Sequence, residues 1–206
     1  MKLDVDEKTC KDIESMLFIS TVYDIRAIDY DQLAVSNKSS LNIMPPLSRN
    51  DIDNLTSIDY DPVDKMLYFL DGTNGYIARI HLNGSGYEKI IYSGLTNSVS
   101  LAIDWISRNL YFSTFDSTKA RVHMSKLDGL YRTTIIHDPF IKSPISLVVY
   151  PTLGYMFLLD VTEEYAKLMR TNMDGSNQII LIDSLSDHNF TKPHCKCFKG
   201  TRGKVN

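Results

Sequence analysis

Apolar residues in this chain come in short runs rather than at helical spacing. Three runs are aromatic-aliphatic and alike: Leu67-Tyr68-Phe69-Leu70-Asp71, Leu110-Tyr111-Phe112-Ser113-Thr114 and Met156-Phe157-Leu158-Leu159-Asp160. Each is trailed by an Asn-Gly or Asp-Gly pair, Asn83-Gly84, Asp128-Gly129 and Asp174-Gly175, and these pairs stand 45 and 46 residues apart. An apolar strand, a short gap, a second strand and a turn tolerating positive φ describe one antiparallel sheet, and the spacing predicts a two-residue hairpin turn at each pair. A period in the forties, with strand signals and no helix signals, is that of a β-propeller built blade by blade.

The unit at 51–98 reads most clearly. Thr56–Tyr60 is a strand, Asp61-Pro62-Val63-Asp64 a turn with proline where no ladder donor is needed, and strands follow over Met66–Asp71, Tyr76–Leu82 and Tyr87–Tyr92. The unit at 99–143 repeats this with Leu101–Trp105, Leu110–Thr114, Ala120–Leu127 and Tyr131–Ile136, and the unit at 144–186 with Leu147–Tyr150, Met156–Asp160, Ala166–Met173 and Gln178–Ile182. An earlier unit at 14–50 has strand runs at Met16–Ser20, Asp24–Asp29 and Leu41–Met44 but no opening strand. The expectation is three complete blades and one incomplete blade. The repeated acids Asp59, Asp71, Asp104 and Asp160 sit at strand ends beside turns, where a carboxylate caps backbone donors. A set of such acids lining a propeller channel would instead hold a metal.

Composition narrows the function. With 22 basic and 25 acidic residues interspersed and a net charge of −3, the chain has no basic stripe for phosphates, which argues against nucleic acid as a partner. No run of eighteen apolar residues and no signal-peptide pattern is present, so any membrane attachment is expected through a segment outside this chain. The three cysteines, Cys10, Cys195 and Cys197, lie near the ends, with 184 cysteine-free residues between the first two, so the repeated body needs no disulfides. Cys195-Lys196-Cys197 near His188 and His194 lacks the spacing and second pair of a zinc site.

Leu101-Ala102-Ile103-Asp104-Trp105, Arg108-Asn109-Leu110-Tyr111-Phe112 and Leu127-Asp128-Gly129 resemble the low-density lipoprotein receptor class B repeat, named for its Tyr-Trp-Thr-Asp tetrapeptide. The resemblance covers residues 16 to about 185. Asp24-Ile25-Arg26, Asp51-Ile52-Asp53-Asn54 and Asn172-Met173-Asp174-Gly175-Ser176-Asn177 make the chain most similar to the low-density lipoprotein receptor-related proteins. The resemblance implies an all-β, YWTD-type β-propeller, here about four of six blades. It also implies flanking remnants of epidermal-growth-factor-like modules, at 1–13 around Cys10 and at 187–206 around Cys195 and Cys197. Tyr68, Asp71, Tyr111, Phe112, Phe157 and Asp160 then belong to the structural tetrapeptides. The tryptophan position holds Phe69, Phe112 or Leu158, while Thr114 and Tyr150 stand where aspartates are usual. Phenylalanine keeps the filler but loses an N–H donor.

The function implied is that of an extracellular propeller segment of an endocytic receptor, a scaffold and protein-interaction surface for ligand binding or release, without catalysis or cofactor. Its partners are protein ligands or neighbouring receptor modules. A truncated secreted binding fragment and a calcium-dependent propeller hydrolase are the alternatives. Tyr60 and Trp105 follow Ile-Asp steps and are the candidate aromatic interaction surface. Similar receptors release ligands in acidic endosomes, which makes the five histidines candidates for charging between pH 5 and 8. Sequons at Asn37, Asn54, Asn83 and Asn189 fit glycosylation in a secretory setting, with Asn83 constrained by its turn. An arc of four blades is expected to leave apolar faces uncovered and to self-associate.

Overall fold

A computed structural model describes residues 16–22, 24–29, 52–95, 97–115 and 119–183. The proposed module remnants, with Cys10, Cys195 and Cys197, the run Leu41–Met44 and the sequons at Asn37 and Asn189 lie outside the described residues. Strands β1 (Met16–Ser20) and β2 (Ile25–Asp29) pair antiparallel. Three four-stranded antiparallel meanders follow. The first holds β3 (Leu55–Asp61), β4 (Met66–Asp71), β5 (Tyr76–His81) and β6 (Glu88–Ile91). The second holds β7 (Ser100–Asp104), β8 (Asn109–Phe115), β9 (Ala120–Lys126) and β10 (Thr133–His137). The third holds β11 (Pro144–Tyr150), β12 (Tyr155–Val161), β13 (Ala166–Asn172) and β14 (Ile179–Ile182), with a single 3-10 turn at Pro151–Leu153 between its first two strands. The all-β, propeller-type architecture expected from the period is therefore present. We call these sheets A, B and C.

Packing between sheets explains why the apolar positions read as runs. Strand β4 is buried at all six residues: Met66, Tyr68 and Leu70 face sheet B, where they meet Leu101, Ile103, Leu110 and Phe112, while Leu67 and Phe69 face Ile25 and Ala27 of β2. On β8 the division repeats, with Leu110 and Phe112 toward sheet A and Tyr111 toward Leu147, Met156 and Leu158 of sheet C. A strand between two sheets needs apolar residues on both faces, which erases the alternation of a half-exposed strand. Strand β12 shows that alternation, since Met156, Leu158 and Asp160 are buried and the residues between them are half-buried. The outermost strand of the sheet, β14, paired to β13, is exposed throughout, Ile180 at 52%.

The Asn-Gly and Asp-Gly turns differ from the expected two-residue hairpin. The Gly84 N–H donates to the His81 carbonyl and the His81 N–H to the Ser85 carbonyl, both at 2.9 Å, and positive φ falls on the glycine alone, at 82°. This is a type I turn closed by a left-handed glycine, a wider loop than the sequence suggested. The side chain before the glycine braces the turn, since Asn83, Asp128 and Asp174 each accept, through Oδ1, the N–H two residues on, at 2.9 Å. Gly129 and Gly175 are required twice over. A Cβ on either would come within 2.2 Å of a carbonyl oxygen in the preceding sheet's outer strand, that of Ile90 or Ile135.

Two measurements follow. Gly129→Ala, strained in φ and blocked by backbone, is expected to lose about 2–4 kcal/mol in urea unfolding, whereas Gly154→Ala, at positive φ in open space, loses about 1 kcal/mol. The uncovered β14 is expected to drive self-association of the 206-residue chain. Light scattering should show Ile180→Lys/Ile182→Lys shifted toward monomer, and a monomeric parent chain would contradict this.

Candidate functional site

Strand-end aspartates in the three sheets are committed to backbone donors. Asp71 accepts the N–H groups of Asp53, Thr73 and Asn74 at 2.8–3.1 Å. Asp160 accepts those of Lys142 and Ser143, at 3.0 and 2.6 Å from Oδ1, and its other oxygen lies 3.3 Å from Lys167 Nζ. Asp104 accepts Ile106 and Ser107 N–H groups at 3.0 and 2.9 Å. Each ties a turn or an incoming loop to its strand, and among the described residues no three His, Cys, Asp or Glu side chains converge as metal ligands. Tyr68, Tyr111 and Phe112 are buried between sheets, Phe157 is half-buried on sheet C, and burial pushes the Tyr111 phenol up to about 12.

Register corrects one equivalence. Asp61 lies opposite Met66 and Asp104 opposite Asn109, so the acid repeating with Asp104 is Asp61, whereas Asp59 matches Ala102. Asp59 does something different: it accepts the Ile103 N–H of the next sheet at 2.8 Å. Ser57 accepts the Leu101 N–H at 3.1 Å and Ser100 the Leu147 N–H at 3.0 Å, so the inner strands β3, β7 and β11 are stitched edge to edge by side chains. Asp61 receives two bonds from Arg108 of sheet B, at 2.6 and 2.7 Å, and Arg108 also pairs with Asp64. Neither Ser57 nor Ser100 was singled out from the sequence, and Arg108 entered only as part of a repeat motif. The two serines recur at one place in successive units, so the period itself carried the signal.

The same offset separates the two aromatic candidates. Tyr60 sits within β3, half-buried and stacked on Phe18 with centroids 5.3 Å apart, whereas Trp105 stands in the β7–β8 turn at 41% exposure beside exposed Ile106. They occupy non-equivalent positions, and only Trp105 presents a ring to solvent.

Sequence reasoning missed an open cleft of about 340 Å³ on the outer part of sheet B, lined by Thr114, Arg121, His123, Arg132 and Thr134 and reached by Gly94 of the loop leaving sheet A. His123 is buried against the Phe112 ring, with Nε2 3.1 Å from Thr114 Oγ1 and Nδ1 3.1 Å from Thr134 Oγ1. Arg132 donates to the Ser93 and Gly94 carbonyls at 2.9 and 2.8 Å and lies over the Phe112 face. Burial, and then the positive charges of Arg132 and Arg121, push the His123 imidazolium down to about 4. His123 therefore stays neutral across the pH 5–8 range in which the histidines were expected to charge.

No protein-family profile matches the chain. Human low-density lipoprotein receptor-related protein 4 is 35% identical over 109 residues, which are 52% of this chain and 5% of that protein. Among solved structures, a chain of the nidogen/laminin complex superposes with a TM-score of 0.69 at 21% identity, covering 82% of this chain and 61% of that one. A putative TolB from Agrobacterium tumefaciens gives 0.64 at 9% identity, covering 82% and 58%, and a putative 6-phosphogluconolactonase from Bacteroides uniformis 0.55 at 12%, covering 88% and 53%. The structural likenesses establish the propeller fold. The stretch homologous to receptor-related protein 4, together with the propeller fold, bears out the resemblance to the low-density lipoprotein receptor class B repeat propeller. The match takes in a small part of that receptor's length.

The depressed His123 value has a signed consequence. Between its unfolded value of 6.5 and about 4, the unfolded chain binds the proton and the folded chain does not, so stability falls as pH drops through that window. Urea midpoints at pH 7 and pH 4.5 should show a loss of about 2–3 kcal/mol, absent in His123→Gln, which keeps two hydrogen-bonding ends for the threonines.

Proposed function

We propose that this chain is an extracellular propeller segment of a receptor of the low-density lipoprotein receptor-related class, acting as a rigid scaffold and protein-interaction surface without catalysis. The observation that carries the reading is the engagement of the strand-end aspartates by backbone N–H groups: Asp71, Asp104 and Asp160 hold turns and loops in successive sheets. Carboxylates bound in this way are scaffold, and recognition then rests on exposed groups at the sheet ends. Trp105 and Ile106, both exposed on one turn, are the apolar anchor. Homology to a receptor-related protein supports the extracellular setting, and the nidogen/laminin likeness supports protein ligands for propellers of this shape. Nucleic acid has no place in this reading. Membrane attachment belongs to other parts of such a receptor, and no helix among the described residues is long and apolar enough to cross a membrane.

The sequons fit the same setting. Asn54 is half-buried, with its own carbonyl accepting the Gly72 N–H, and Asn83 is exposed with Oδ1 engaged by Ser85.

Expressed behind an added signal peptide, the chain is expected to be secreted with glycan on at least one of Asn37, Asn54, Asn83 and Asn189, read by glycopeptide mass spectrometry. The secreted chain should bind cell-surface or matrix protein saturably, with about tenfold weaker binding for Trp105→Ala/Ile106→Ala at unchanged thermal stability. Four bare sites together with binding indifferent to the double substitution would overturn the proposal.

A further inference from the structure

Sheet B departs from its neighbours at one strand end. In sheet A, Asp71 lies opposite Tyr76, and in sheet C Asp160 lies opposite Lys167, with a carboxylate oxygen 3.3 Å from the Lys167 ammonium. The same register position in sheet B holds Thr114, opposite Arg121. The cation of the sheet C pair has its counterpart in Arg121, and the acid has been replaced by a hydroxyl.

The surroundings do not restore that acid. Among the described residues no carboxylate pairs with Arg121. Arg132, the second guanidinium at the cleft, bonds two carbonyl oxygens and so keeps its full charge. The remaining wall is hydroxyl-bearing, from Thr114, Thr133 and Thr134, with neutral His123 behind two of them. Two like charges near one another, hydroxyl donors and an opening to solvent suit an oxyanion, because planar guanidinium groups bond carboxylates in paired, charge-assisted fashion.

We propose that this cleft binds a carboxylate presented by a protein partner, an Asp or Glu side chain seated against Arg121 and the threonine hydroxyls where sheets A and C carry Asp71 and Asp160. A carboxylate is favoured over other anions because the position is one that this fold fills with a carboxylate in both flanking sheets. The proposal rests on the protein-interaction reading above, but the site lies on the outer part of sheet B and is separate from the Trp105 turn. A small-molecule probe tests it without a partner.

The probe is N-acetyl-aspartic acid amide, which carries one side-chain carboxylate, with N-acetyl-asparagine amide as its neutral isostere. Phenylglyoxal modification of Arg121 in the 206-residue chain, followed by peptide mass spectrometry, reads occupancy at one residue. At twice its Kd the aspartic probe should slow Arg121 modification about threefold by simple mass action, at constant ionic strength, and the asparagine probe should not. Thr114→Asp should protect Arg121 constitutively and abolish the probe's effect. Asp116, the nearest acid in sequence, lies outside the described residues. Asp116→Asn should leave the protection unchanged, and an Arg121 that is already protected and becomes reactive in this variant would show the chain's own acid to be the occupant, overturning the proposal. Protection by sulfate but not by the aspartic probe would overturn the carboxylate assignment. Equal modification with and without both anions would overturn the site. Should Thr114→Asp fail to fold, the footprint of the unsubstituted chain decides alone, and it can fail while the Trp105 binding result stands, or stand while that result fails.

Discussion

Burial of a sheet on both faces is the constraint from which the rest of this structure follows. Sheets A and B each have a neighbour on either side, and the cores between sheets are made by alternate residues of the same strands, as Leu67 and Phe69 against Met66, Tyr68 and Leu70 show. Full burial of a large apolar side chain contributes roughly 1.5–3 kcal/mol, so a strand such as β4 is a large stabilising element for its six residues. The same arrangement isolates backbone groups. The inner strand of each sheet has one edge without a ladder partner, and an unsatisfied buried N–H costs about 1–3 kcal/mol. Ser57, Asp59 and Ser100 meet that demand by accepting N–H groups of the next sheet's inner strand. Close approach also decides the glycines, since the turns at Gly129 and Gly175 press on carbonyl oxygens of the preceding sheet.

With so much of the repeat occupied by scaffold, chemistry that is specific to this chain has to arise where the repeat departs from itself. Sheet B is the clearest departure. Thr114 stands at the register position of Asp71 and Asp160, His123 at that of Ala78 and Met169, and Arg121 at that of Tyr76 and Lys167. These three substitutions lie on one face and open a polar cleft where neighbouring sheets have a capped aspartate. The salt link from Arg108 to Asp61 is likewise made once among the described sheets, because Gly154 occupies the matching place in sheet C. Backbone geometry is preserved there, with positive φ at Lys65, Arg108 and Gly154 alike, while the charge is not.

The comparisons divide along the same line. Structural likeness extends to proteins at 9–12% identity, including a putative lactonase, because the packing of four-stranded sheets places few demands on which apolar residue fills which position. Sequence likeness to receptor-related protein 4 covers about half of the chain. Function is therefore a property of particular side chains rather than of the fold.

Strand runs, turn residues and the period determined the sheets. Leu67–Asp71, Leu110–Thr114 and Met156–Asp160 became second strands, and the Asn-Gly and Asp-Gly pairs became the turns closing third strands, because local preferences for extended backbone and left-handed glycine agree with the tertiary arrangement. The capping of the following turn by Asp71 and Asp104 was legible for a similar reason, being bonds to residues two or three away, whereas Asp160 holds Lys142 and Ser143 from a distant loop. What the sequence did not determine was everything set by register between strands or by contact between sheets. The mismatch of Asp59 with Asp104 needed the β3–β4 and β7–β8 pairings, the serine stitching needed the inner strands side by side, and the cleft around His123 needed residues of three strands and a loop from another sheet. A one-residue change in register moves a side chain to the opposite face, and partners more than forty positions apart leave no local trace, so only the tertiary structure could decide which charges stand alone and which are paired.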